Sequence, residues 1–279
     1  MSSIYSSSST AALQKNNEFQ KICLDAIPII KEAGKFIRDE STRWSIKDIE
    51  MKGRNDIVTY VDKTSQQMLV DNLSKLIPDC GFITEEDVTK DKEKEYTWII
   101  DPLDGTTNFV YGIPLYAVSV ALAHKGKTVA GIVYEINNDE CFYAWLNGGS
   151  YLNGKPILIS QTAEIGDAIL ATGIPTSNFS MKRQYFDCLT DLVEVTRGIR
   201  RLGSAAVDLC YVASGRFDLY FEVGLSPWDV AAGALIVEEA GGVVNSFDGE
   251  GNFLNGREIL CGNRMLFDSF REIIKRYFE

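Results

Sequence analysis

Residues 98–109, WIIDPLDGTTNF, contain side chains whose types and spacing could hold a metal ion beside a phosphate. An apolar run ends at Asp101, a proline follows, and Asp104 comes three residues after Asp101. An ordinary surface turn, in which Asp104 caps the next helix, explains these acids equally well. The Gly-Thr-Thr sequence at 105–107 favours a phosphate site, because a helix start offers unpaired N–H groups to an anion.

Further acids lie at the ends of other predicted elements. Asp62 ends a strand-like segment, Glu85 and Glu86 end a second one, and Asp229 lies in the first turn of a later helix. If three strands of one sheet end side by side, these carboxylates share one cleft. So many converging anions are costly without cations, and Mg²⁺ prefers oxygen ligands. Two such ions ~4 Å apart can clamp both the attacking and the leaving oxygen of a phosphoryl transfer.

Each of these acids also has a structural interpretation. Residues 226–229, Ser-Pro-Trp-Asp, form a near-ideal helix start, which by itself favours capping over ligation at Asp229. Asp62 could be the N-cap of the helix that follows it. Glu85 and Glu86 could begin a solvated acidic loop that continues through DVTKDKEKE. Capping and ligation are compatible at Asp229, because tight packing of its helix would hold the carboxylate rigidly.

The composition excludes several functional classes. The formal net charge of −11 argues against a nucleic-acid partner, whose binding needs many basic residues. A phosphorylated substrate would also be repelled unless bound cations reversed the local field. The sequence contains no GxxxxGK[ST], GxGxxG, GxSxG or complete EF-hand motif. His124 is the only histidine, which rules out chemistry that needs two, and we expect it to be structural.

The cysteines and the N-terminus favour a cytoplasmic protein. Six cysteines occur singly, without a CxxC pair, as in reduced intracellular chains. The N-terminus has no basic and apolar leader pattern, and its serines predict a disordered tail over residues 1–16. Apolar runs are too short to cross a membrane. We therefore expect neither membrane nor nucleic acid as a partner.

The hydrophobic pattern predicts an α+β fold. Strand-like and helical segments follow one another from about residue 18, with hairpin turns at Lys125-Gly126 and Asn153-Gly154. A late helix starts near Pro227 and stops at Gly241-Gly242. Since no linker divides the chain, we predict two tightly packed subdomains, 17–160 and 161–279.

Two long motifs, WIIDPLDGTTNF and PWDVAAGALIVEEAGG, resemble those of the inositol monophosphatase family. These Mg²⁺-dependent, Li⁺-sensitive phosphatases are related to fructose-1,6-bisphosphatase, and DIVTYVD and ITEED also match them in order and spacing. The resemblance extends over nearly the whole chain after the Ser-rich tail. It implies a layered αβαβα sandwich of the sugar-phosphatase type, two or three Mg²⁺ ions per site, and a homodimer. Thr84 departs from the pattern, because the family usually has glycine before the two glutamates.

The resemblance also implies roles for individual residues. The implied metal ligands are Glu85, Asp101, the backbone carbonyl of Leu103, Asp104 and Asp229. Thr106, assisted by Asp62 and Glu85, would orient the metal-bound water. The implied substrate contacts are Asp104, Gly105, Thr106, Thr107, Gly203, Ser204, Ala205, Glu222 and Asp229.

These roles predict Mg²⁺-dependent hydrolysis of a small polyol phosphate such as myo-inositol 1-phosphate. Two alternatives stay open. The substrate could be a bisphosphate, either fructose 1,6-bisphosphate or a 3′-phosphoadenosine nucleotide, with Arg197, Arg200 and Arg201 as candidate cations for the second phosphate. The chain could also be a regulatory binding protein on the same fold.

Overall fold

A computed structural model describes residues 3–43, 49–53, 56–86, 94–175 and 179–278. Eight helices are found in these ranges: α1 (Ser3–Ser41), α2 (Tyr60–Leu76), α3 (Thr106–Val110), α4 (Lys182–Val195), α5 (Ala205–Ala213), α6 (Pro227–Glu239), α7 (Phe253–Gly256) and α8 (Phe267–Phe278). The predicted acidic loop after Glu86 lies mostly outside the described residues.

The strands form one small and two large sheets. A two-stranded ribbon pairs β1 (Ile49–Gly53) with β2 (Asp56–Thr59). The larger sheet has seven strands in chain order: β3 (Gly81–Thr84), β4 (Tyr96–Asp104), β5 (Ala117–His124), β6 (Lys127–Glu135), β7 (Glu140–Trp145), β8 (Ser150–Leu152) and β9 (Lys155–Ile157). The second has the order β11 (Gly198–Arg200), β10 (Ile169–Thr172), β12 (Leu219–Val223), β14 (Glu258–Gly262), β13 (Val243–Asn245).

The helices and the two large sheets alternate in five layers, which confirms the predicted αβαβα sandwich. Helices α1 and α2 cover one face of the seven-stranded sheet, and α5 and α6 lie between the two sheets. Helices α4 and α8 cover the far face of the second sheet. Because the seven-stranded sheet is covered on both faces, a strand such as β5 is buried on both sides and reads as a continuous apolar run.

Two predicted hairpin turns are present. Lys125-Gly126 joins β5 to β6, and Asn153-Gly154 joins β8 to β9. All four residues have positive φ, which matches the twist of two-residue hairpins and explains the glycines.

The N-terminal segment differs from the prediction of a disordered tail. Helix α1 begins at Ser3, so residues 3–16 are helical. Asn16 Nδ2 donates to the carbonyl of Leu146 at 3.0 Å, and Trp145 Nε1 donates to Asn16 Oδ1 at 3.3 Å. The end of this segment is therefore tied to the β7 side of the sheet, which composition alone did not reveal.

The start of α2 also corrects a prediction. The N-cap is Thr59, not Asp62, and Asp62 occupies the third helical position in a capping box. The strand β2 ends three residues earlier than the alternation of apolar residues indicated. This shift matters for the site, because it turns Asp62 inward at the first turn of a helix.

The two large sheets divide the chain between Ile157 and Ile169. Helices α5 and α6, from the later part of the chain, nevertheless pack against the seven-stranded sheet. The subdomain boundary at 160/161 stays a prediction. No helix in the described ranges has the length and apolar character needed to cross a membrane.

Candidate active site

The ends of β3 and β4 and the start of α6 bring three acids together. Strands β3 and β4 are parallel neighbours, so Glu85, which follows β3, lies beside Asp101 on β4. Asp101 is paired across the sheet with Ser119, whose Oγ donates to the carbonyl of Trp228 at 3.2 Å. This bond fixes the start of α6 against the sheet and places Asp229 near Asp101.

The acids at this edge raise one another's pKa. Burial raises the pKa of Asp101 well above its ordinary value, and the charges of Glu85, Asp104 and Asp229 raise it further. Burial likewise raises the pKa of Asp229, with further contributions from Asp104, Glu85 and Glu222. Among the main contributions from the described residues, only the backbone N–H groups of Leu103 and Ser226 oppose these rises. The site thus has a surplus of negative charge that a cation would relieve.

The oxygen atoms in this region are suitable ligands for a hard divalent cation, but they do not form a complete coordination site. Carboxylates and the Leu103 carbonyl are oxygen ligands of the kind Mg²⁺ prefers. Within the described ranges, however, no three His, Cys, Asp or Glu side chains form a ready-made metal cage. The predicted ligands therefore lie in one region that carries an excess of negative charge. Their coordination of a metal ion stays a prediction.

Asp104 links the end of β4 to the start of α5. Its Oδ2 accepts hydrogen bonds from Ser204 Oγ at 2.6 Å and from the N–H of Ala206 at 2.7 Å. Burial raises the pKa of Asp104, while these two bonds and the nearby charge of Arg201 oppose the rise. Asp104 does not cap α3, whose N-cap is Gly105, so the turn interpretation does not describe its side chain.

Thr106 stands between the α2 start and the β4 end. Its hydroxyl lies 3.1 Å from Asp62 Oδ1 and 3.0 Å from the carbonyl of Leu103. Leu103 in turn donates its N–H to Asp101 Oδ1 at 3.0 Å. The structure therefore brings Asp62 and Thr106 into direct contact, as the resemblance implies.

The Gly-Thr-Thr segment forms the tight start of α3. Gly105 has φ of +93°, and its carbonyl accepts the N–H of Phe109 at 3.0 Å. The first N–H groups of a helix have no partner within it, and binding of an anion by the backbone of residues 105–107 stays a prediction. Thr107 is exposed on this turn.

A second group of predicted contacts lies on the α5 and β12 side. Gly203 and Ser204 precede α5, and Ser204 is its N-cap. Glu222 on β12 is partly buried and accepts a hydrogen bond from the Tyr220 hydroxyl at 2.6 Å. Burial raises the pKa of Glu222 to about 7, with Tyr220 and Arg201 opposing and Asp104 adding to the rise. Ala205 is buried at the first position of α5.

Two residues near Glu222 were not singled out from the sequence. A Cβ at Gly173 would lie about 2 Å from the Glu222 carboxylate, so a side chain there would force that carboxylate to move. Asp208 is buried on α5, its Oδ1 has no hydrogen-bond partner among the described residues, and burial raises its pKa well above the ordinary value. An acid inside the apolar helix AAVDLCYVA was the available sequence signal for Asp208.

The three candidate arginines lie in different surroundings. Arg197 pairs with Asp167 at the surface, and Arg200 donates to the carbonyl of Ile199. Arg201 takes part in none of the described ion pairs, and its charge lowers the pKa of both Asp104 and Glu222. Of the three, Arg201 is therefore the one whose charge acts on the site.

Residues 20–277 match the family model described as the inositol monophosphatase family. The chain belongs to this family. An inositol-1-monophosphatase of Mesorhizobium japonicum is 37% identical over 82% of this chain and 86% of its own length. A protein of Escherichia coli strain K12 named Nus factor SuhB is 39% identical over 85% of this chain and 90% of its own. Inositol monophosphatases and proteins named SuhB are thus both close in sequence.

Solved structures agree with the family assignment. The extragenic suppressor protein SuhB from Bartonella henselae has a TM-score of 0.85 and 34% identity, covering 92% of this chain and 98% of that one. An IMPase from Thermotoga maritima has a TM-score of 0.83 and 32% identity, covering 91% of this chain and 97% of that one. This chain therefore has the fold of these solved structures.

Proposed function

We propose that this inositol monophosphatase family member is a Mg²⁺-dependent phosphatase of a small polyol monophosphate such as myo-inositol 1-phosphate. The observation that carries the proposal is the raised pKa of buried Asp101 and partly buried Asp229 near the Gly-Thr-Thr turn. Acids that repel one another next to an anion-binding turn need a cation between them and the anion. The family's inositol-1-monophosphatases support this substrate class.

Divalent cations bound here would lower the pKa of water toward neutrality and offset the charge of the phosphoryl oxygens. Glu85, Asp101, Asp104, Asp229 and the Leu103 carbonyl would hold two or three of them. Leu103 O keeps a second lone pair after accepting from Thr106.

The chain's own residues would orient the reactants. The Thr106 hydroxyl, held between Asp62 and the Leu103 carbonyl, would direct the attacking water toward phosphorus with the assistance of Glu85. The backbone of 105–107 would bind phosphoryl oxygens. On the other side of the ester bond, Gly203, Ser204, Ala205 and Glu222 would contact polyol hydroxyls, together with Asp104 and Asp229.

The direct test is phosphate release from myo-inositol 1-phosphate with Mg²⁺, with EDTA, and with Mg²⁺ plus Li⁺. We expect release that requires Mg²⁺ and that Li⁺ inhibits. Asp104→Asn should lower kcat by orders of magnitude, whereas Asp218→Asn is the matched control. Asp218 is also a buried acid with two donors, Ser160 Oγ and the N–H of Ile169, but it lies outside the proposed ligand set. Near-normal turnover of Asp104→Asn would contradict the proposed ligation.

A bisphosphate substrate is the second candidate, favoured by the position of Arg201. Its guanidinium acts on Asp104 and Glu222 and has no ion pair within the described ranges, so it could bind a second phosphate. A panel with fructose 1,6-bisphosphate and 3′-phosphoadenosine 5′-phosphate separates the two candidates. If either is hydrolysed with a higher kcat/KM than the monophosphate, the second candidate replaces the first.

Relatives named Nus factor SuhB keep a regulatory binding role on this fold as a further alternative. A captured protein partner, together with no hydrolysis of any ester in the panel, would favour that role.

We also propose a cytoplasmic homodimer. All six cysteines are free thiols, which fits a reducing compartment, and light scattering would measure the oligomeric state.

A further inference from the structure

Asn108, in the first turn of α3, joins two segments that are distant in the chain. It is only 4% exposed, and both hydrogens of its side-chain amide are used. Nδ2 donates to the carbonyl of Leu115 at 2.8 Å and to the carbonyl of Leu202 at 2.9 Å. The first bond closes the loop that follows α3, and the second reaches the segment that leads into α5.

The same two segments touch through their backbones at a pair of glycines. Gly105 and Gly203 both have φ of +93°. A Cβ on Gly105 would lie 3.2 Å from the carbonyl oxygen of Gly203, and a Cβ on Gly203 would lie 3.0 Å from Asn108 Nδ2. A side chain at either glycine would therefore be strained by the positive φ and would crowd the facing segment, and the Asn108 amide lies at this close approach.

We propose that Asn108 is a positioning residue that fixes the distance between the phosphate cradle at 105–107 and the polyol contacts at 203–205. This inference rests on the proposed phosphatase function, which assigns those two halves. A phosphate ester must fit both halves at once, whereas inorganic phosphate needs only the cradle. Without the amide, the partly buried carbonyls of Leu115 and Leu202 lose the Asn108 donor, and the two segments separate.

Asn108→Ser tests the proposal because serine is also uncharged, but its shorter side chain cannot donate to both the Leu115 and the Leu202 carbonyl. We expect kcat/KM for the ester to fall roughly 100-fold, as for a displacement of about 1 Å between reacting groups. The KM of the ester should rise about 10-fold or more, while the inhibition constant of inorganic phosphate changes much less. A merely structural role would lower the folded fraction and leave both constants unchanged.

Asn263→Ser is the matched control. Asn263 is also a buried asparagine whose amide ties its own segment to a distant one, donating to Ser160 Oγ at 2.8 Å and to the carbonyl of Thr162 at 3.1 Å. These segments contain none of the proposed site residues. The control should lose stability without a change in KM or in the phosphate inhibition constant.

Hydrogen–deuterium exchange gives a readout that does not depend on turnover. In Asn108→Ser, amides of residues 105–110 and 202–206 should exchange faster than in the wild type, and in Asn263→Ser they should not. If the serine variant does not fold, Asn108→Gln keeps both amide donors and moves them by one methylene, so it changes the distance between the two segments. Unchanged exchange in both segments, or an unchanged ratio of KM to the phosphate inhibition constant, would overturn the proposal. If the wild-type protein hydrolyses no ester, the proposed phosphatase function is refuted. Hydrogen–deuterium exchange then still tests whether Asn108 holds the two segments together.

Discussion

Helices α2 and α6 begin in the same way, yet their first turns have different surroundings. In each, an aspartate at the third position accepts the N–H of the cap residue. Thr59 N lies 2.8 Å from Asp62 Oδ2, and Ser226 N lies 2.7 Å from Asp229 Oδ2. The other oxygen distinguishes them: Asp62 Oδ1 accepts the hydroxyl of Thr106, and no such donor is found for Asp229 among the described bonds.

The electrostatics of the two aspartates differ accordingly. Burial raises the pKa of Asp62, but hydrogen bonds from Thr59 and Thr106 oppose the rise. Burial raises the pKa of Asp229 well above its ordinary value, and the charge of Asp104 adds more than the Ser226 N–H offsets. A capping box thus fixes the orientation of a carboxylate. The surrounding fold decides whether hydrogen bonds stabilise its negative charge or whether a cation is needed to do so.

The largest expected effect is that of Asp229→Asn on hydrolysis of the proposed substrate. The amide oxygen can still accept the Ser226 N–H, so the helix start is kept, but a cation ligand is lost. We expect kcat/KM to fall by roughly 1,000-fold or more, because bound cations supply several kcal/mol of transition-state stabilisation. Steady-state kinetics over a range of Mg²⁺ concentrations measures this. A variant with wild-type turnover would make Asp229 a cap and nothing else.

Asp62→Asn should have a smaller effect on the same reaction. Its charge is not proposed to bind metal, and it acts through the Thr106 hydroxyl. We expect kcat to fall roughly 100-fold, within the range for losing a group that assists proton transfer, with little change in the Mg²⁺ requirement. Equal losses in Asp62→Asn and Asp229→Asn, with the same shift in Mg²⁺ dependence, would contradict the division of roles.

The thermal stability of the metal-free protein should separate the two aspartates without any reaction. A raised carboxyl pKa contributes stability that is fully present below the ordinary pKa of about 3.8 and is lost as pH rises through the raised value. In chelator, Asp229→Asn should therefore raise Tm at pH 8, with a gain that shrinks as pH falls toward 5. Asp62→Asn should gain less, because hydrogen bonds already stabilise its charge. Circular dichroism melts at several pH values would show the contrast, and a pH-independent gain would refute its electrostatic origin.

The smallest effect concerns the cap residues themselves. Thr59 Oγ1 accepts the N–H of Val61 at 3.1 Å and donates to Asp62 at 2.6 Å, whereas Ser226 acts on Asp229 through its backbone N–H. Thr59→Ala should therefore cost about 1 kcal/mol in the free energy of unfolding, and Ser226→Ala less. Urea unfolding would compare them. A larger cost for Ser226→Ala would mean that the two helix starts are held differently from what these bonds indicate.

The sequence by itself determined the elements and the family. The hydrophobic pattern predicted strand-like segments, and Lys125-Gly126 and Asn153-Gly154 predicted hairpin turns, because local backbone preferences act over a few residues. The two long motifs indicated the inositol monophosphatase family. The match of residues 20–277 to the family's sequence model confirmed it. Acids at strand ends predicted that carboxylates share one region, but Asp62 lies on helix α2 and not at the end of a strand of the same sheet as Glu85 and Asp101. The helical segment at residues 3–16 was missed, because a low apolar content conceals a helix that continues from a packed one.

Only the tertiary structure decided which oxygen of each acid is satisfied. Asp104 takes two donors from residues a hundred positions away, and Asn108 joins Leu115 to Leu202. Nothing near these residues in the chain indicates such partners, because hydrogen bonds between distant segments depend on how α5 packs between the sheets. The pKa of a carboxylate depends in the same way on burial and on charges from other elements. Residue types and their spacing were therefore predictable from the sequence, whereas the balance of charge at the site was not.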